Sequence, residues 1–296
     1  MVLALLFFFS LVNDVRTLIA QHNLAAAEQA VRQFQQGAGG TPEVAASYSW
    51  LARGALDASE LDRADQFAAE TRKLSLDLLR SRKLDADPWL PTALGASIEV
   101  HAQVLAARGE RSEAVAFLRQ QLALYGNTSI GERIRKNINL LNLEGKPAPP
   151  IPASAYLGPQ GQPLAAYRGH PVLLFFWAHW CGDCKAEAPI LASLMKTYGP
   201  RGLVLEGPTR LYGYAAGGED ASPAAETQYI DRIRKQYYGM LAGMSVPISA
   251  PAFLAYGAST TPTLVLLDRS GIVRYYHPGA ATQAELAAQI EKVIAH

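Results

Sequence analysis

The stretch from Pro171 to Ile190 reads PVLLFFWAHWCGDCKAEAPI, and the rest of the chain is organised around it. It opens with an apolar run, Val172 to Trp177, which is long enough for one buried strand and too short to cross a membrane. Cys181 and Cys184 follow, and the segment from Lys185 onward is compatible with a helix. A strand, a turn and a helix that begins with Cys-x-x-Cys form the geometry of a redox site.

The spacing of the two cysteines indicates their chemistry. Two cysteines three positions apart on a first helical turn can close a small disulfide. We expect Cys181 to lie where unpaired backbone N–H groups and the positive end of the helix stabilise a thiolate, the species that attacks a disulfide. Cys184 lies one turn further in and suits the resolving role. Gly182 leaves room for a substrate chain, and the charge of Asp183 opposes the thiolate, which favours a more reducing pair.

Two other uses of a Cys-x-x-Cys motif compete with this interpretation. A zinc site needs about four ligands, usually from a second cluster of cysteine or histidine. The sequence has two cysteines, both in this motif, and its six histidines show no paired spacing. An inert structural disulfide would constrain the unfolded chain little, because the loop is so small. We therefore expect a redox-active disulfide, without a metal site and without a cofactor.

The motif also carries a resemblance to a known family. Residues Phe176 to Pro189, FWAHWCGDCKAEAP, resemble the active site of the thioredoxin superfamily, and more narrowly the exported TlpA/ResA-type reductases with redoxin domains. The resemblance extends from about Gly145 to the C-terminus: Gly145 to Pro149 is similar to the entry motif, Thr261 to Thr263 to the cis-proline loop, and Gly271 to Val273 to the closing hairpin. It implies an α/β thioredoxin fold, a central mixed sheet flanked by helices, over residues 145–296.

The resemblance implies roles for residues outside the cysteine pair. A cis bond between Thr261 and Pro262 would lie against Cys181 and leave the backbone of Thr261 free to pair with an extended substrate. Trp180 is expected to flank Cys181 as a contact surface. An ordinary proline at a strand start and a tryptophan that simply packs are the alternatives.

Glu187 is the remaining candidate site residue. It lies three positions after Cys184, so both side chains can share one helix face. A carboxylate that is partly removed from water there could take the proton of Cys184, and TlpA/ResA-type reductases carry a glutamate that matches this position. A surface glutamate on the helix is the alternative.

The chain before Gly145 has a different pattern. Residues 1–14 begin with the apolar stretch MVLALLFFFSLV, which resembles the core of a secretion signal but lacks a basic start and a clear cleavage site. We interpret it as a signal or anchor remnant of a truncated start, with an ordinary first helix as the alternative. Residues 15–144 are helical throughout and are similar to tetratricopeptide repeats, with a non-repeat helical bundle as the alternative.

Three further patterns concern turns and connections. The repeat-like signature occurs at His22–Ala27, Ser59–Ala64 and Gly109–Ala114, where a polar turn precedes a small residue. The Pro-rich stretch GKPAPPIP, residues 145–152, predicts an extended linker that few contacts cross. Residues Gly158 to Gly161 predict a β-hairpin.

Composition limits the class of function. The chain has 296 residues, an apolar fraction of 49% and a formal net charge of +1, which suit one or two soluble domains. No basic block or stripe of aromatic and basic residues favours nucleic acid as a partner. Cysteines confined to the redox motif are compatible with an oxidising compartment.

These observations predict a thiol–disulfide oxidoreductase that reduces protein disulfides outside the cytoplasm, in the bacterial periplasm or anchored to the membrane that faces it. Its expected partners are protein disulfide substrates, an upstream thiol electron donor and a protein that binds the helical domain. A peroxiredoxin-like enzyme with antioxidant activity is one alternative, although peroxiredoxins place a threonine where Ala178 stands. A non-enzymatic helical-repeat adaptor is the other.

Overall fold

The computed structural model describes residues 10–295, and its contacts divide the chain into two compact units. The first unit ends at Asn137 and the second begins at Ile138. This division falls earlier in the chain than Gly145, where the sequence analysis begins the second domain.

Helices make up the first unit. Their bounds are α1 Leu11–Ala20, α2 Leu24–Ala38, α3 Pro42–Asp57, α4 Leu61–Leu79, α5 Trp89–Ala107, α6 Arg111–Tyr125 and α7 Gly131–Asn142. The division between the units therefore falls inside α7. The prediction of a helical N-terminal region is confirmed.

The three repeat-like segments form the turns of helical hairpins. His22, Ser59 and Gly109 have φ values of 58°, 61° and 87°, the left-handed conformation that ends many helices. In each turn the next residue donates its N–H to a carbonyl five positions earlier, as Asn23 does to Leu18 at 2.9 Å. Each segment ends with a fully buried alanine; these residues are Ala27, Ala64 and Ala114. A small buried side chain lets the two helices of a hairpin approach closely.

The N-terminal apolar stretch is only partly within the described residues. Residues 1–9 of the proposed signal or anchor lie outside them. Leu11, Val12 and Val15 belong to α1 and are buried in the core of the helical unit. Within residues 10–295, none of the helices is both long enough and apolar enough to span a bilayer.

The second unit is built on a four-stranded mixed sheet. Its elements are β1 Ala155–Leu157, β2 Val172–Phe176, α8 Gly182–Tyr198, β3 Val204–Glu206, α9 Pro223–Tyr237, β4 Val246–Ile248, α10 Ala250–Tyr256, β5 Thr263–Leu267, β6 Val273–Pro278 and α11 Gln283–Ile294. The strand order is β3-β2-β5-β6, with β3 parallel to β2 and the other two pairs antiparallel. The strands β1 and β4 form a separate antiparallel pair.

The central strand β2 is buried on both faces, which explains its continuous apolar sequence. Leu173 and Phe175 point to one side and pack with residues of α8, α9 and α11. Leu174 and Phe176 point to the other side and pack with residues of α10. This alternation fixes the strand in register, so its carboxyl end delivers the cysteine motif to one edge of the sheet.

The Pro-rich segment is part of the second unit and not a free linker. Gly145 donates its N–H to the carbonyl of Val273 at 2.8 Å, and Val273 donates to Lys146 at 2.9 Å. Ala148 donates to Gly271 at 3.0 Å. This stretch is therefore not a linker between the two units, because its backbone pairs with the start of β6.

Candidate functional site

Cys181 and Cys184 form a disulfide at the start of α8. Cys181 is the N-cap residue of the helix, and its sulfur accepts the backbone N–H of Cys184 at 3.0 Å. Cys181 retains 3% of its surface exposed, whereas Cys184 has none. When the disulfide is reduced, the same N–H and the positive helix end favour a thiolate on Cys181.

The segment that leads from β2 into the disulfide is held by hydrogen bonds to the chain that follows β3. The indole N–H of Trp177 donates to the carbonyl of Gly207 at 2.9 Å. The hydroxyl of Thr209 donates to the carbonyl of Trp177, also at 2.9 Å. Trp177 is fully buried, so these bonds are shielded from water and fix the approach to Cys181.

The loop before β5 brings Thr261 and Pro262 to the disulfide. The bond between them is cis, and the sulfur of Cys181 lies 3.4 Å from the carbonyl oxygen of Thr261. The carbonyl of Pro262 accepts the N–H of Gly279 at 2.8 Å, which ties the loop to the end of β6.

Trp180 and Gly182 lie on the outer side of the disulfide. Trp180 is 50% exposed, although it directly precedes a buried cysteine. Its ring meets Tyr212 edge to face, with ring centroids 5.6 Å apart. A Cβ atom added to Gly182 would meet no atom within 4 Å, so the space in front of this residue is open.

Glu187 is buried, and the alternative of a surface glutamate is wrong. Its exposure is 2%, and one carboxylate oxygen accepts the N–H of Ala281 at 3.3 Å. Burial raises the pKa of Glu187 above its ordinary value, and the negative charge of Asp183 adds to the increase. The Ala281 N–H and His277 oppose it.

The chain is similar to known thioredoxin-like proteins over its second half. A family model for the thioredoxin-like domain matches residues 160–294. Over 154 residues the chain is 31% identical to the thiol:disulfide interchange protein DsbE of Xylella fastidiosa, an alignment that covers 52% of this chain and 70% of that protein. The chain belongs to the thioredoxin-like thiol:disulfide oxidoreductases.

Further relatives of this oxidoreductase cover the same half of the chain. It is 24% identical over 130 residues to the thiol-disulfide oxidoreductase ResA of Geobacillus thermodenitrificans, with coverage of 44% of this chain and 67% of that protein. A solved structure of a DsbE-type protein from Chlorobium tepidum aligns with a TM-score of 0.40 and 23% identity, over 51% of this chain and 97% of that chain. The predicted family, fold and enzyme class are confirmed.

A buried pair of polar side chains next to the disulfide was not predicted from the sequence. His179 lies two residues before Cys181, and its Nε2 atom is 3.4 Å from a carboxylate oxygen of Glu226 on α9. Both side chains are 1% exposed. The only signal in the sequence was a histidine inside an otherwise apolar run, and nothing local pointed to its partner.

A second buried carboxylate, Glu206, was also missed. It ends β3 and accepts a hydrogen bond from the hydroxyl of Tyr167 at 2.5 Å. Burial raises the pKa of Glu206 to about 7, so its charge changes near neutral pH. A glutamate in a short strand of apolar residues was the signal that could have identified it.

Proposed function

We propose that this oxidoreductase reduces disulfide bonds in polypeptide substrates, with Cys181 as the attacking sulfur and Cys184 as the resolving sulfur. The observation that carries the proposal is the asymmetry of the pair. Cys181 caps the helix and borders the Thr261 carbonyl, whereas Cys184 is fully buried. A substrate can therefore reach one sulfur before the other.

The proposed reaction has two steps. The Cys181 thiolate attacks a substrate disulfide, forms a mixed disulfide and releases one substrate sulfur as a thiolate. The Cys184 thiolate then attacks the Cys181 sulfur and releases the second substrate sulfur. The substrate gains two electrons, and the enzyme is left with the Cys181–Cys184 disulfide. An upstream thiol donor of the same chemistry returns the enzyme to its dithiol form.

Glu187 is proposed to accept the proton of Cys184 in the second step. A buried thiol is a poor nucleophile until it is deprotonated, and the proton needs an acceptor that is also shielded from water. The raised pKa of Glu187 makes it a stronger base than an exposed carboxylate. Its place one helical turn beyond Cys184 supports this role.

Trp180, Gly182, Thr261 and Pro262 are proposed to bind the substrate chain. The open space at Gly182 and the exposed ring of Trp180 leave a path to Cys181. The backbone of Thr261 would pair with an extended segment, which holds a substrate independently of its side chains.

The organisation and location of the protein are part of the same proposal. The helical unit would bind a protein partner, and the unit that begins at Ile138 would carry the redox function. We place the protein outside the cytoplasm, because a thiol:disulfide interchange role suits an oxidising compartment and the chain keeps no cysteines beyond the redox pair.

Two assays test this function. The reduced full chain should accelerate the reduction of insulin disulfides in the presence of dithiothreitol and should consume hydrogen peroxide no faster than a Cys181→Ala variant. A Cys184→Ala variant should accumulate a mixed disulfide with insulin that dithiothreitol releases. Peroxide consumption without disulfide reduction would overturn the proposal, and so would the absence of both activities.

A further inference from the structure

Glu226 is a buried carboxylate that fixes the loop following β3. One of its oxygens accepts the N–H of Tyr212 at 2.5 Å, and the other accepts the N–H of Gly213 at 2.8 Å. A carboxylate taken out of water is costly unless such charge-assisted bonds satisfy it. Gly213 has a φ of 87°, a conformation that other residues rarely adopt, so the chain turns sharply at the point where Glu226 holds it.

His179 forms the other half of this arrangement. Its ring meets three tyrosine rings edge to face. The distances between ring centroids are 5.6 Å to Tyr212, 5.3 Å to Tyr214 and 5.3 Å to Tyr229. Burial lowers the pKa of His179, so the ring is neutral at neutral pH. The ring therefore packs against Tyr212 as a neutral group and lies next to the Glu226 carboxylate.

Tyr212 transmits this support to the redox site. The Tyr212 ring also meets Trp180, which is 50% exposed and directly precedes Cys181. The guanidinium of Arg210 lies 5.0 Å from the centre of the Tyr212 ring. An exposed tryptophan that is braced by a buried carboxylate through one tyrosine loses little freedom when a substrate binds, because the free protein has already ordered it.

We propose that Glu226 and His179 are positioning residues that hold Tyr212 against Trp180, so that the two rings form a rigid aromatic wall on which an apolar side chain next to the substrate's disulfide packs. The inference rests on the proposed reduction of polypeptide disulfides and adds a sequence preference to it. Aromatic rings bind apolar and aromatic side chains by area and by ring geometry. The preferred substrate is therefore a polypeptide with an apolar residue adjacent to its cystine.

The test uses two synthetic peptides, each closed by an internal disulfide and identical except for phenylalanine or glycine before the first cysteine. The wild-type full chain should reduce the phenylalanine peptide with a kcat/KM about ten-fold higher. In Glu226→Gln, His179→Ala and Tyr212→Ala this ratio should fall towards one. The fall should come from a higher KM for the phenylalanine peptide, with less than a two-fold change in kcat.

Two variants serve as matched controls. Tyr212→Phe keeps the ring and should restore the preference that Tyr212→Ala loses. Glu291→Gln removes a carboxylate that is 49% exposed and pairs with Arg201, and it should keep the wild-type ratio. Should Glu226→Gln fail to fold, as judged by its melting transition, the comparison of Tyr212→Ala with Tyr212→Phe decides the question.

The possible results distinguish a failure of the proposed disulfide reduction from a failure of the aromatic wall alone. A wild-type chain that reduces neither peptide contradicts the proposed function and the wall together. A wild-type chain that reduces both peptides equally contradicts the wall alone. The variants could also keep the wild-type ratio of kcat/KM between the two peptides, or lose kcat equally on both. Either result would show that Glu226 and His179 do not position a substrate-binding surface.

Discussion

The sulfur of Cys181 lies 3.4 Å from the carbonyl oxygen of Thr261, a residue 80 positions further along the chain. Strand pairing explains the contact, because Phe176 at the end of β2 is the antiparallel partner of Thr263 at the start of β5. Cys181 follows β2 and Thr261 precedes β5, so two adjacent strands of one sheet bring the proposed attacking sulfur next to the backbone that would bind a substrate. A shift of either strand by one residue would separate them.

The first prediction concerns the reactivity of the two thiols. In the reduced protein at neutral pH, iodoacetamide should modify Cys181 before Cys184, because Cys181 caps the helix and Cys184 has no exposed surface. Peptide mapping after short reaction times measures the order. Cys181→Ala should be labelled slowly and Cys184→Ala rapidly, and faster labelling of Cys184 would reverse the proposed roles.

The second prediction concerns Glu187 and catalysis. Glu187→Gln should slow resolution of the mixed disulfide by roughly ten-fold or more, because a neutral amide cannot accept the Cys184 proton. Rapid mixing of the reduced variant with a peptide disulfide measures this step. The matched Glu291→Gln variant should resolve at the wild-type rate, and a Glu187→Gln rate equal to it from pH 6 to pH 8 would refute the role.

Although Glu187→Gln should slow catalysis, it should not lower the thermal stability of the protein. A carboxyl whose pKa is raised on folding stabilises the protein while it is protonated, and this contribution is lost as pH rises through the folded-state pKa. Glu187→Gln should therefore melt at or above the wild-type temperature at pH 8. A clear loss of thermal stability at that pH would mean that the ionised carboxylate is required by the fold.

Glu206 gives a third prediction, with a pH window. Its pKa rises from the ordinary value of 4.5 to about 7, so protonation stabilises the folded protein fully below pH 4.5 and ceases to do so as pH rises through 7. Glu206→Gln should be more stable than the wild type by roughly 1–3 kcal/mol at pH 8 and nearly equal to it at pH 4. Urea unfolding at the two pH values measures the difference, and equal effects at both would exclude ionisation as the cause.

The fourth prediction concerns the boundary of the redox domain. Leu143 is 7% exposed and packs in the core that contains Tyr276, and a Glu144 carboxylate oxygen accepts the Tyr276 N–H at 3.1 Å. Both fragments, one beginning at Ile138 and one at Gly145, should fold and reduce a small aromatic disulfide. The shorter one should be less stable by about 2 kcal/mol, since it lacks a buried leucine.

Comparison of both fragments with the full chain tests the proposed helical domain. Each fragment should lose selectivity for the client protein trapped by Cys184→Ala, because it lacks the proposed partner-binding surface. Fragments that treat the client like the full chain would show that the helices do not bind it. Equal urea midpoints for the two fragments would contradict the stabilising role of Leu143 and Glu144.

Features that depend on short-range sequence were predicted well. The run from Val172 to Phe176 is a buried strand, and the cysteine motif begins the helix that follows it. The hairpin turns at His22 and Ser59 lie where a polar turn precedes a small residue. In each case the side chains that decide the conformation lie within a few residues of one another.

Features that depend on distant partners were not predicted. The turn at Gly158 suggested a hairpin, yet β1 pairs with β4, where Ala155 lies opposite Ile248. The proximity of His179 and Glu226 depends on how α9 packs, which no local pattern encodes. Tertiary contacts decide both the strand pairing and the position of the buried pair. A glycine turn or an isolated charge in the sequence is therefore not enough to predict either one.

The complete burial of Cys184 has a consequence for how the protein behaves in a changing environment. In the proposed mechanism, any adduct on Cys181, whether a substrate or a small thiol, would be removed by Cys184 three residues away and not by a second molecule from solution. The lifetime of such an adduct is then set by the geometry of one helical turn. A change in the concentration of free thiols would then change how often the enzyme is reduced. The rate at which each bound substrate is released would stay the same.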